Sequence, residues 1–284
     1  MISHSDGNAR QIYGSIINSW VVDKYMSNCR LCNQPKKLVD SHIFPEFMYE
    51  PLYDDEHRFK IISMKDGDII KEPQKGIYEK LMCDECDNKI IGSYEDHASK
   101  IIFSDNKKTV DSIRTKYGLL IYGLDYRLFK LFQISLIWRA SITTRPEIYK
   151  INLGPHAEKM RIMLLNGDPG EVYEYGVILY LFPHSTKEMI DFILPPVKLQ
   201  KKINGHQVYR AIFNGLVWIF YVSSHLRNFS NKEFFLSREG KLPIVDSGKI
   251  GERFIENMAN EFDAKEEKDM KFYNKIPPNP LDSK

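Results

Sequence analysis

CRLCNQPKKLVDSHIFPEF (Cys29–Phe47) opens on two cysteines in a C-x2-C pair and closes on a histidine followed three residues later by proline. The remaining cysteines of the chain, Cys83 and Cys86, form a second such pair in CDECDNK (Cys83–Lys89). A C-x2-C pair sets two thiolates on one tight knuckle, and two knuckles complete the tetrahedral shell of a structural zinc ion. Thiols stay reduced in the cytosol, so two knuckle spacings that consume all four cysteines point to Zn2+ rather than to disulfides. The ligands expected are Cys29, Cys32, Cys83 and Cys86, and the 50 residues between the pairs leave room for an inserted element.

Working outward, IYEKLMC before the second knuckle reads as an extended segment. After it, Ile90, Ile91, Tyr94, Ala98, Ile101 and Ile102 recur at helical spacing, so the second knuckle opens a helix. Between the knuckles, KIISM and DIIKE flank a Lys65-Asp66-Gly67 turn and predict a hairpin.

Knuckle, hairpin, second knuckle and helix, together with S-H-I-F-P (Ser41–Pro45) and C-x2-C-D-N (Cys83–Asn88), resemble the HNH endonucleases, a ββα-metal family often built on a zinc treble clef. The resemblance covers about residues 27–103. It implies a metal-dependent nuclease that hydrolyses phosphodiester bonds, DNA ahead of RNA, in a setting such as bacterial or phage defence. By position His42 would be the general base, since imidazole takes up a proton near neutrality. Asp87, Asn88, Asp40 and Glu95 would be candidate ligands for a catalytic Mg2+ or Mn2+, hard cations that favour oxygen donors. Glu95 falls two helical turns beyond Asn88, on about the same face. The chain departs from the family pattern at Ser41, where an acidic residue or His usually precedes the base, at Tyr78 in place of a middle Asn, and at Asp87 in place of the final His or Asn. A second reading keeps the scaffold without the chemistry: a zinc-stabilised module that binds nucleic acid or a partner protein.

The net charge of +2 gives no global attraction for polyanions, so any such affinity must be local. From Lys100 to Lys150 there are ten Lys or Arg against four Asp or Glu, interleaved with aromatics, and Arg114, Lys116, Arg127 and Lys130 are the candidate nucleic-acid contacts. Against this, YRLFKLFQISLIWRAS has apolar residues around most of its circumference, as a buried helix does. Lys130, Gln133 and Arg139 interrupt it, so it is no membrane span. With no signal-peptide pattern at the N-terminus, the expectation is a cytoplasmic protein without membrane contact; a protein partner or homo-oligomer is also compatible.

Beyond residue 170, YGVILYLF, VKLQKKI, HQVYRAIF and LVWIFYVSS read as strands. The last three are joined at Asn204-Gly205 and Asn214-Gly215, the preferred dipeptide of a two-residue hairpin turn. The expected architecture is α+β: an N-terminal segment (1–26), a zinc-stabilised treble-clef ββα-metal module (27–105), a helical segment (106–165), a small antiparallel sheet domain (166–250), and a helix with a flexible tail (251–284).

Overall fold

The computed structural model describes residues 26–61, 71–102, 111–181, 193–199 and 202–246. The first knuckle is closed by a minimal antiparallel pair, β1 (Ser27–Asn28) and β2 (Pro35–Lys36). Between them Asn33 takes a left-handed φ of 58°, a conformation that asparagine tolerates better than most residues. Strand β3 (Leu38–His42) then pairs antiparallel with β4 (Tyr78–Cys83), His42 lying opposite Tyr78 and Leu38 opposite Cys83. Directly after Cys83 the chain winds into a π-helical stretch, Glu85–Ile91, which continues as α1 (Gly92–Ile102). Both cysteine pairs therefore sit where the β3–β4 ladder meets the helix. Of the inserted hairpin, the antiparallel bridge Ile61–Lys71 is in place, and the Lys65–Gly67 turn lies outside the described residues.

The segment expected to be helical from 106 to 165 begins instead with a hairpin, β5 (Asp111–Thr115) and β6 (Gly118–Tyr122). Helices α2 (Tyr126–Ile142) and α3 (His156–Asn166) follow. Asp125 caps α2, its carboxylate accepting from Leu128 N at 2.8 Å. His97 is half-buried and takes the Asp125 N–H at 3.2 Å, fixing the entry of α2 against α1.

Strands β7 (Val177–Leu181), β8 (Leu194–Lys198), β9 (Gln207–Phe213), β10 (Leu216–Val222) and β11 (Leu242–Asp246) complete a seven-stranded sheet of order β5-β6-β11-β7-β10-β9-β8. The meander β8-β9-β10 forms, its first strand set earlier than the expected VKLQKKI stretch, with positive φ at both residues of each Asn-Gly turn. The sheet is larger than the predicted one because β11 joins it, parallel to β7 and antiparallel to β6, and brings the β5–β6 hairpin with it. Gly118 makes that junction possible: its φ is 137°, and a Cβ there would meet the Ile244 carbonyl oxygen at 2.2 Å.

Module and sheet share one core. A single buried cluster runs from Cys29 and Phe44 through Phe132 and Trp138 to Trp218 and Ile244. Phe44, two residues past His42, packs on Phe213 of β9 at 4.9 Å between ring centroids, and Phe132 of α2 meets Trp218 of β10 edge-on at 6.3 Å. The cysteine module is thus braced against α2 and the sheet, and α2 is buried nearly all round. Residues 251–284, expected as helix and tail, lie outside the described residues.

Lys130 is carried into this core. Its side chain is buried, and its Nζ donates to the Tyr175 carbonyl at 2.9 Å. Burial holds its pKa down to about 7. The native form then lacks a proton that the unfolded chain keeps up to pH of about 10. Stability contributed by this position therefore grows as pH rises from 7 toward 10, by roughly 1.4 kcal/mol per pH unit, and is lost as pH falls through the folded-state value. Urea unfolding at pH 7, 8.5 and 10 will show this rise in the wild type and a flatter profile in Lys130→Met; parallel profiles would show that the amine is charged in the native state.

Candidate metal centre and the adjoining polar cluster

The Sγ atoms of Cys29, Cys32, Cys83 and Cys86 all lie within 4.8 Å of one another. A tetrahedral zinc ion with bonds of about 2.3 Å needs sulfurs about 3.8 Å apart, so the four thiols are positioned to bind a metal ion and are compatible with structural zinc. The knuckle backbone is already set for thiolate. Burial pushes the Cys29 thiol up, but N–H groups of Cys32, Cys83 and Leu31 more than offset it and bring the thiol down to about 7. One of these bonds runs from Cys83 N to Cys29 Sγ at 3.4 Å and so links the two knuckles. Burial, joined by the neighbouring thiols, pushes Cys86 up, a repulsion that a bound cation would reverse. Outside the shell, Lys36 pairs with Glu85 at 3.0 Å across the knuckles, and Arg161 of α3 donates to the Leu31 carbonyl.

Beside this centre the end of β3 meets the start of the helix. Ser41 is fully buried, and its hydroxyl oxygen accepts from Met82 N at 3.3 Å. Burial raises the Asp87 pKa above the ordinary carboxylate value, and Glu95 adds to the rise. Ser41, Arg139 and His42 act against it. Asp87, Glu95, His42, Ser41 and Arg139 therefore form one electrostatic cluster.

The π-helical winding explains why Asp87, rather than Asn88, joins it. The Gly92 N–H reaches back to the Asp87 carbonyl, an i→i+5 bond that spans one more residue than an α-helical bond. This turns Asp87 toward the face of Glu95. Asn88 faces solvent, its amide donating to Asp84 at 2.8 Å. Asp40 is likewise outside the cluster: strand alternation sends it to the face opposite Ser41, where it pairs with Lys80 at 2.9 Å.

His42 closes the strand with its side chain about one-third exposed, its Nε2 2.9 Å from Glu46 Oε2. Its carbonyl accepts from Arg139 Nη1 at 2.8 Å, and the same Nη1 lies 2.6 Å from Glu95 Oε1. Arg139, fully buried in α2, thereby ties the end of β3 to α1. Neither Arg139 nor Glu46 stands out in the sequence reading. The signals available are a lone cation inside an apolar helix and an H-x3-E spacing across the Pro45 turn.

The candidate nucleic-acid contacts separate. Arg114 is exposed on β5, 3.5 Å from Asp246. Lys116 sits over the Tyr117 ring at 4.7 Å, and Arg127 is exposed at the start of α2. Lys130, buried and bonded to Tyr175, cannot reach a phosphate. Among the described residues no helix is long and apolar enough to cross a membrane. No family model, curated protein or solved structure matches the chain.

Proposed function

We propose that the chain is a metal-dependent nuclease of the HNH kind on a zinc treble clef, hydrolysing phosphodiester bonds in DNA ahead of RNA. The observation that supports it is the electrostatic cluster in which Asp87, the residue after the second cysteine pair, interacts with Ser41 and His42 of β3 and with Glu95. In this reading the four cysteines hold zinc for structure alone. Asp87 and Glu95 would hold Mg2+ or Mn2+, which when bound supplies charge stabilisation for the pentacovalent phosphorus and the leaving oxygen. His42 takes a proton from water as its oxygen forms the new P–O bond; the opposite P–O bond breaks, and the departing alkoxide is protonated by solvent. Exposed Arg114, Lys116 and Arg127 would meet the phosphate backbone.

One observation favours the second reading, a zinc-stabilised module that binds nucleic acid or protein without cutting. Arg139 already neutralises Glu95, which weakens that carboxylate as a cation ligand. Incubation of the purified protein with plasmid DNA, single-stranded DNA and RNA, in Mg2+, Mn2+ or EDTA, separates the two. Cation-dependent cutting is expected, with Asp87→Ala lowering it about tenfold or more and excess Mn2+ restoring part of the loss. Binding to any of the three substrates without cutting in either metal would leave the module reading.

A further inference from the structure

We propose that Glu46 is a positioning residue for His42, holding the imidazole as its Nε2–H tautomer so that the Nδ1 lone pair is the one that takes the proton. This rests on the reading of His42 as a base. The geometry differs from that of a surface ion pair because donors from three segments converge on one carboxylate. Oε2 lies 2.9 Å from His42 Nε2 and accepts the Gly76 N–H at 3.3 Å. Oε1 accepts the Tyr53 hydroxyl. A carboxylate engaged at both oxygens cannot turn away from the ring, whereas a solvated glutamate loses its partner to water much of the time.

The supports are themselves fixed. Tyr53 stacks on His57 at 3.9 Å and meets Phe59 edge-on at 5.7 Å between centroids. Burial, followed by the Glu46 carboxylate, pushes the Tyr53 phenol up, so its hydroxyl remains a donor throughout the working range. Gly76 admits no side chain: a Cβ there would lie 2.7 Å from the Tyr49 ring and 2.9 Å from Glu46 Oε2. Backbone, phenol and carboxylate thus form a rigid seat behind the ring.

The chemical consequence follows from the imidazole. A neutral ring carries one N–H, and a carboxylate facing Nε2 can only accept, so the proton stays on Nε2 and the acceptor pair on Nδ1. When Nδ1 takes a proton, the carboxylate faces the resulting cation and stabilises it. Glutamine in its place can turn its NH2 group to Nε2 and favour the opposite tautomer.

The test reads the tautomer directly. In protein labelled with 15N-histidine, with His42 assigned by comparison with His42→Gln, the neutral ring should show a protonated Nε2 and a bare Nδ1. Glu46→Gln should mix or invert that pattern, and Tyr53→Phe, which keeps the aromatic packing, should broaden it. Circular dichroism and metal content should be unchanged in both. If the wild type cuts, Glu46→Gln should lower kcat about tenfold with KM unchanged, and Glu46→Asp should recover part of it. A protonated Nδ1 in the wild type, or the same tautomer in Glu46→Gln, overturns the inference. A fixed tautomer lost in Glu46→Gln supports it even in a protein that cuts nothing, an outcome that would count against the nuclease reading alone.

Discussion

Replacing any one of Cys29, Cys32, Cys83 or Cys86 by serine will release the bound ion, which we propose to be zinc, and unfold the protein. A serine hydroxyl stays protonated near neutrality and cannot stand in for a thiolate, so three sulfurs are left facing one another with no cation between them. Structural zinc binding is worth on the order of 10–16 kcal/mol, against a total stability of about 5–15 kcal/mol for an ordinary domain. The damage should not stay local. Cys29, Cys83 and Cys86 belong to the same buried cluster as the α2 residues and Trp218, so collapse of the knuckles opens the core beneath the sheet as well. Elemental analysis should find about one zinc per chain in the wild type. Thermal unfolding of each Cys→Ser variant should lose its cooperative transition or shift far downward. Freshly purified protein without metal, or a Cys32→Ser variant that melts like the wild type, would remove the metal reading.

How much of this was legible depends on whether the cause is local. The knuckles, the Asn-Gly hairpins and the buried helix at 126–142 are written in short-range chemistry: thiol spacing, positive φ, and apolar residues around a full circumference. The seven-stranded sheet is not. Leu242–Asp246 is a five-residue strand whose partners, β6 and β7, lie far away in the chain, and a parallel pairing leaves no turn signal between them. Lys130 misled for the opposite reason: a cation in a helix reads as a solvent contact, yet it found an acceptor inside in the Tyr175 carbonyl, much as Arg139 found the His42 carbonyl and Glu95. At the candidate site, Asn88 and Asp87 were separable only once the helix was seen to begin with π winding, since α-helical spacing alone puts Glu95 nearer the Asn88 face.

If the chain is the nuclease proposed here, cleavage in His42→Ala should fall by about 10^2–10^4-fold, the usual cost of removing positioned acid-base catalysis, while fold and metal content survive. The survival follows from what His42 touches. It is not among the four cysteines positioned to bind a metal ion, and about a third of its side chain is already exposed. Its anchor to Arg139 is made by the backbone carbonyl, which alanine keeps. Glu46, deprived of the imidazole, still accepts from Tyr53 and Gly76 and so is not orphaned. The stability change should therefore stay within about 1 kcal/mol. The loss should fall on kcat, because an imidazole that moves a proton in the transition state contributes little to holding the substrate beforehand. Exogenous imidazole in the millimolar range should restore part of the rate, since the space left behind adjoins solvent and Glu46 is still in place to orient a replacement ring. His42→Ala that cuts at the wild-type rate, with zinc and fold intact, would move the base elsewhere and leave the Ser41–Asp87 junction as scaffold.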